Sequence, residues 1–390
     1  MTTYDFDEIV PRKNTNCIKY DFARERGMPE GLLPLWVADM DFRTPDGVVE
    51  RLVEVARHGI FGYSESKDDY YRAVADWFST RFGYAPERAW IKKTPGVVCA
   101  LAAAVRALTE PGDSVVIQTP VYYPFAGVVR QNRRNLVDNT LVYRDGRYLM
   151  DFDDLEKKIV DHKAKLMLLC SPHNPVGRVW TRGELARLGE ICLKHRCLIV
   201  SDEIHCDFAL GGRTHHVLPT VDPALNEIAV ILTAPSKTFN LAGLQASNAF
   251  IANPELRKLI KDEIDATGYS QLNTMGLAAC QAAYERGGEW LAQLLAYLEG
   301  NAEFSRRFFR ERLPRVRLVE PEGTYLLWLD FADYRLPQEE LNRRVVSEAG
   351  LWLDEGVMFG AAGAGFQRVN MACPRSVLAE AWERLAGAFG

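Results

Sequence analysis

The sequence has no apolar run that approaches the roughly 18 residues of a membrane span, so no membrane segment is expected. Its first residues, MTTYDFDEIVPRK, are acidic and polar and lack the apolar core of a secretory signal, which points to a cytoplasmic protein. Basic excess is also missing. Forty-seven Lys and Arg face 52 Asp and Glu, a net charge of −5, and no Lys/Arg block or Arg-aromatic interleaving offers a footprint for nucleic acid. The eight cysteines form no CxxC, and the seven histidines form no HExxH or zinc-like spacing. No metal site is expected, and the thiols are read as buried and reduced. A Walker pattern and a GxSxG elbow are absent, and GAAGAG (360–365) lacks the third glycine of a dinucleotide loop. No internal repeat or low-complexity stretch is visible.

At 390 residues the chain exceeds one ordinary core, and two domains are expected. Short apolar runs read as buried strands: SVVIQ (114–118), LMLLC (166–170), CLIVSDE (197–203), IAVILT (228–233) and ASNAFIA (246–252). Such runs suit a parallel sheet covered on both faces. VVCALAAAVRAL (97–108) and RGELARLGEICLKH (182–195) have helical spacing between them, so the fold expected is a doubly wound α/β domain. After about residue 285 the texture changes to a long amphipathic helix (289–313), two strands around a Glu-Gly turn (316–331) and two further helices, a smaller α+β domain. Residues 1–47, rich in Pro and Asp, read as an arm, leaving 48–285 as the large domain and 286–390 as the small one.

Four segments end a strand or open a helix, where open α/β sheets place ligands. KKTPGVVCALAAA (92–104) runs a Thr-Pro-Gly turn into a helix, an ordinary helix start or an anion cradle. CSPHNPVGRVW (170–180) is a tight loop or a rigid turn that aims the Asn174 amide at a ligand. LIVSDEIHCDF (198–208) delivers Asp202 and Glu203 to a strand end, where Asp202 is a cap, an ion-pair member or the partner of a cationic ring N–H. TAPSKTFNLAG (233–243) carries Lys237, a surface lysine or an amine held for Schiff-base chemistry. Lys237 follows Asp202 by 35 positions (237 − 202), which reads as one αβ unit further and the next strand but one.

Together TPG (94–96), TPVYYPF (119–125), SPHNPVG (171–177), SDEIH (201–205), APSKTFNLAGLQ (234–245) and RVNMACP (368–374) resemble the aspartate-aminotransferase superfamily of fold type I, which uses pyridoxal 5′-phosphate (PLP). The resemblance covers nearly the whole chain. WVADMDF (36–42), SDEIH and SKTFNLAGLQ look like the branch of cystathionine β-lyases and cysteine C–S lyases.

The resemblance implies a large domain with a mostly parallel sheet and a small α+β domain. It implies that Lys237 holds PLP covalently, Asp202 its ring nitrogen, Asn174 its ring hydroxyl and Tyr122 its ring face, with His205 beside them. Gly96, Val97, Val98 and Ser236 would hold the phosphate, with Tyr63 reaching it from a neighbouring subunit of a homodimer. Arg368 would grip the carboxylate of an amino-acid substrate, with Ala38 and Asn174 beside it. His205 stands where many relatives have Tyr, and Gln245 where many have a phosphate-binding Arg; both departures agree with the lyase branch. Tyr123 is expected to pack, His173 to be structural or solvent-facing, and Trp36 to be core or pocket wall. The implied reaction is α,β-elimination from cystathionine or a related thioether, within amino-acid metabolism. Transamination on the same scaffold is the alternative, and a PLP-binding regulatory role a third.

Overall fold

Seven strands build the central sheet of the computed structural model, which describes residues 3–390. Numbered within this sheet in chain order, they are β1 (Ile91–Thr94), β2 (Ser114–Ile117), β3 (Asn135–Asp138), β4 (Leu166–Cys170), β5 (Leu198–Asp202), β6 (Ala229–Thr233) and β7 (Ser247–Phe250). Their spatial order is β1-β7-β6-β5-β4-β2-β3. Every residue of β4 and β6 is buried. Leu166, Leu168 and Cys170 join one hydrophobic cluster while Met167 and Leu169 join the other. Successive side chains point to opposite faces, so a continuous apolar run is what a sheet covered on both sides requires.

The pairs β2–β3, β2–β4, β4–β5 and β5–β6 are parallel. The run at 246–252, grouped above with the parallel strands, becomes β7 and is antiparallel to both β6 and β1. Its connection from β6 holds only the turns Pro235–Thr238 and Ala242–Leu244. Without a crossover helix the chain turns straight back, which gives an antiparallel pair.

A second correction concerns Asp202 and Lys237. β5 and β6 are direct neighbours, with Asp202 opposite Leu232, so the lysine follows the adjacent strand. No α-helix lies between them; the segment has only the 3-10 turns Leu218–Thr220 and Pro223–Glu227. Glu203 pins that segment: its carboxylate accepts from the Leu218 N–H at 3.0 Å and lies 2.8 Å from His215 Nε2.

The helices Val97–Leu108 and Arg182–His195 match their periodic runs. The second starts on a capping box, Thr181 Oγ1 accepting from Glu184 N and Glu184 Oε2 from Thr181 N.

The long helix Gly288–Arg312 opens the C-terminal part. Four strands follow in an antiparallel sheet ordered Arg317–Leu318, Leu326–Asp330, Phe366–Asn370, Asp354–Glu355. The helix Gln338–Arg343 widens into a π turn at Arg344–Glu348. Gly323 is demanded by close approach, since a Cβ there would lie 2.6 Å from Val179 Cγ2 and 2.7 Å from Phe208 O. Beside it, buried Arg178 bonds Glu322 at 2.8 Å and ties the loop after β4 to this part.

The arm is anchored at two points. Leu33–Pro34 pairs in parallel with Leu351–Trp352. Lys19, wholly buried, donates to Asp41 Oδ2 at 2.7 Å, and Arg12 donates to Asp41 Oδ1 at 2.7 Å. These contacts fix the stretch WVADMDF over the carboxyl ends of β5 and β6. Met1 and Thr2, the first residues of the arm, lie outside the described residues.

Candidate active site

The ends of β5 and β6 and the start of the Val97 helix share one cavity of about 390 Å³. Lys237 enters it from the turn Pro235–Thr238, which a proline opens directly after β6. The lysine Nζ donates to the carbonyl oxygen of Ala38 at 2.6 Å. Burial brings its pKa down to about 8; Arg368 pushes the same way, while Asp39 and Asp202 oppose. Asp202 ends β5 and is buried, with its Oδ1 accepting from the Ile204 N–H at 3.1 Å. Burial raises this carboxyl to about 7. The strand's alternation sends Glu203 to the other side, so of the two adjacent acids only Asp202 lines the cavity.

Gly96, Val97, Val98 and Cys99 line the opposite wall. Among the described residues no side chain caps the Val97 helix, so its first N–H groups are free donors at the positive end of the helix dipole. A Cβ on Gly96 would meet no heavy atom within 4 Å, so the space beside this turn is open.

Tyr122 and Asn174 come from separate loops and are tied together, the Tyr122 N–H donating to Asn174 O at 3.0 Å. Asn174 Oδ1 accepts from Arg368 Nη1 at 3.1 Å. Arg368, buried in the strand Phe366–Asn370, also donates from Nη2 to Trp36 O at 2.8 Å and pairs with Asp354. Its Nε has no partner among the described residues. Arg368 therefore stands behind Asn174 and outside the cavity lining proper.

His205 lines the cavity and is buried, yet its Nδ1 has no partner among the described residues. Burial, with the positive charges of Lys237 and Arg368, holds it neutral. His173 is wholly buried, Nε2 lying 2.9 Å from Pro120 O, so of its two expected positions the structure selects the interior. Gln245 lines the cavity, while Ser236 shares the lysine's turn and stays out of the lining. Tyr63 is fully exposed, in a separate surface depression with Phe61 and Gln271.

Sequence reasoning missed Tyr325, Asp39 and Asp354. The Tyr325 hydroxyl donates to the same Ala38 oxygen at 2.9 Å. Nothing local marks Tyr325 or Asp354, whereas Asp39 sits inside the WVADMDF motif and could have been found there.

The donor set fits PLP. An amine stands ready for the aldehyde, a carboxylate for the ring nitrogen, an uncapped helix start for the phosphate, and an open space adjoins Gly96. Among the described residues no group of three or more His, Cys, Asp or Glu could hold a metal ion.

The family model Aminotransferase class I and II matches residues 30–385. The chain is 41% identical over 385 residues to cystathionine beta-lyase PatB of Bacillus subtilis, covering 99% of this chain and 100% of that protein. Its fold matches cystalysin of Treponema denticola, a crystal structure that contains PLP, with a TM-score of 0.96, 38% identity and 99% of each chain covered. It matches the PLP-bound C-S lyase of Staphylococcus hominis with a TM-score of 0.93 and 32% identity, over 100% of this chain and 98% of that one.

Proposed function

This chain belongs to the aminotransferase class I and II family, and from that premise we propose that it is a PLP-dependent carbon–sulfur lyase acting on cystathionine or related L-cysteine thioethers. The convergence of the Lys237 amine and the Asp202 carboxylate on one cavity at an uncapped helix start carries the PLP reading, and the likeness to PatB, cystalysin and the C-S lyase supports elimination over transamination.

Bound there, PLP supplies an aldehyde for amines and a cationic ring that takes up the charge left when Cα loses its proton. Asp202 holds the ring nitrogen, since a carboxyl raised by burial becomes ionised when a cationic partner arrives. Asn174 orients the ring oxygen and Tyr122 covers the ring face. The Gly96–Val98 backbone, Ser236 and a partner subunit's Tyr63 hold the phosphate. Arg368 is assigned the substrate carboxylate, with its Nε–H, which has no partner among the described residues, as the free donor, while Asn174, Asp354 and the Trp36 carbonyl hold its two Nη groups. Lys237, with a pKa of about 8, is neutral often enough near pH 7 to take the Cα proton. The Cβ–S bond then breaks with its electron pair on sulfur, and Lys237 passes the proton to the thiolate. The remnant leaves as an enamine and hydrolyses to pyruvate and ammonia.

The active form is proposed to be a homodimer, supported by the exposure of Tyr63 and Phe61 on one loop. The domain bounds 1–47, 48–285 and 286–390 belong to the same proposal, supported by the break at Gly287 between two helices. A cytoplasmic location is supported by eight free cysteines, six of them buried; among the described residues no helix is long and apolar enough to cross a membrane.

The test supplies L-cystathionine to the PLP-loaded protein and measures free thiol and pyruvate with and without a keto acid. Pyruvate release that does not need the keto acid is expected. Turnover only with the keto acid would establish transamination instead.

A further inference from the structure

Asp207 is a buried carboxylate that the chemistry set out above leaves unused, and it stands outside the lining of the Lys237 cavity. Its two oxygens have separate partners. Oδ1 accepts from Arg81 Nε at 2.8 Å, and Oδ2 accepts from the Thr238 hydroxyl at 2.8 Å. Arg81 comes from the helix Asp68–Phe82 and lies over the Trp77 ring, 4.8 Å from its centroid. Burial raises the Asp207 carboxyl, and the Arg81 charge and the Thr238 hydroxyl oppose that rise. A buried acid is costly unless it is paired in this way.

The two chain segments that this carboxylate joins carry Asp202 and Lys237. Asp207 ends a pair of tight turns that begins directly after Asp202, with the Cys206 N–H donating to Glu203 O and the Phe208 N–H to His205 O, each at 2.9 Å. These turns stiffen the path from Asp202 to Asp207 and set Ile204 and His205 in the cavity wall. Thr238 follows Lys237 directly, is buried, and closes the turn Pro235–Thr238. The ladder between β5 and β6 ends at the Asp202–Leu232 rung, and the Asp207–Thr238 bond carries the alignment on past it. The root of the Lys237 side chain is thus tied to the Asp202 loop, while the Ala38 carbonyl holds its tip.

We propose that Asp207 is a positioning residue for Lys237: acting through Thr238, it fixes the lysine's turn against the Asp202 loop, so that the amine and the acid meet one PLP molecule in a single geometry. Reacting groups need alignment within about 0.5 Å and 10–20°, and a long side chain magnifies any tilt at its root. Arg81 keeps Asp207 charged, and so a strong acceptor for the Thr238 hydroxyl. The inference rests on the assignment of Lys237 and Asp202 to PLP, and is independent of the choice between elimination and transamination.

The experiment mixes apoprotein with PLP and follows the growth of visible absorbance by stopped flow in wild type, Thr238→Val, Thr238→Ser, Asp207→Asn and the double variant Thr238→Val/Asp207→Asn, with urea unfolding of each. Thr238→Val keeps the shape and loses the donor, and should slow covalent capture about tenfold or more, the loss of one hydrogen bond to a charged group. Thr238→Ser keeps the hydroxyl and should recover most of the rate. The double variant should be no slower than the slower single one, because both remove the same contact. In the loaded enzyme the loss should fall on kcat with KM little changed, since Arg368 is assigned the substrate carboxylate. Where Asp207→Asn fails to fold, the Val and Ser variants decide alone. A Val variant that is less stable to urea but captures PLP at the wild-type rate, or a Ser variant as slow as the Val variant, would overturn the proposal. Wild-type protein that gains no visible absorbance with PLP would overturn the assignment of Lys237 itself.

Discussion

Lys237 Nζ and the carbonyl oxygen of Ala38 lie 2.6 Å apart across 199 positions of chain. The same oxygen accepts the Tyr325 hydroxyl at 2.9 Å. The amine is thus aimed by the N-terminal arm, and the arm's carbonyl is held in turn by a residue of the C-terminal part. A long side chain without such a partner would spread over several rotamers. Here its direction is set before any substrate arrives, which is what a nucleophilic amine needs.

The amine must be neutral to attack an aldehyde. With burial bringing Lys237 down to about 8, its neutral fraction grows with pH up to that value and saturates above it. Covalent capture of PLP by the apoprotein, followed by stopped-flow absorbance, should therefore speed up about tenfold per pH unit well below the pKa and level off above it. A rate still climbing near pH 10, about the range of an ordinary lysine, would contradict the assigned burial.

Asp202→Asn keeps the shape of the side chain and removes its charge. Lys237 is untouched, so the protein should still take up PLP and gain its visible absorbance. Pyruvate release should fall by about two to three orders of magnitude, the usual cost of losing a preorganised electrostatic partner. Steady-state kcat checks this, and an Asn variant within a few-fold of wild type would remove Asp202 from its role.

Tyr63 is 100% exposed in the single chain, an unusual position for a large aromatic residue with an assigned function. If it completes a neighbour's site, Lys237→Ala and Tyr63→Ala chains are defective in complementary halves. Refolded together in equal amounts, half the dimers should be mixed, and each mixed dimer has one intact site. Activity should return to about a quarter of wild type, where each variant alone has little. No recovery, with dimers confirmed by sedimentation, would mean that each chain serves its own site.

His173 gives a stability prediction. Burial lowers it from 6.5 to about 4 in the folded chain. Between those values the unfolded chain binds a proton that the folded chain refuses, so stability is full above about 6.5 and is lost as pH falls towards 4. One proton over that window corresponds to about 3 kcal/mol. Urea unfolding of the apoprotein at a series of pH values should show this loss, with a shallower slope in His173→Asn. Identical slopes for the two proteins would place the pH dependence elsewhere.

The sequence by itself determined five of the seven central strands, missing β1 and β3, and most of the chemical inventory. The Val97–Leu108 helix and the strand Leu166–Cys170 were legible to the residue because periodicity and continuous burial are local properties. Lys237, Asp202 and Asn174 were legible because turn-forming residues and chemistry-bearing ones share short stretches. Tertiary structure alone decided the rest. It made β5 and β6 neighbours, reversed β7, turned Glu203 away from the site and left His205 Nδ1 without a partner among the described residues. It also brought Ala38, Tyr325 and Asp354 from opposite ends of the chain to the lysine and the arginine they hold. Local propensities act over a few residues, whereas a hydrogen bond across 199 positions exists only once the N-terminal arm has packed against the turn after β6.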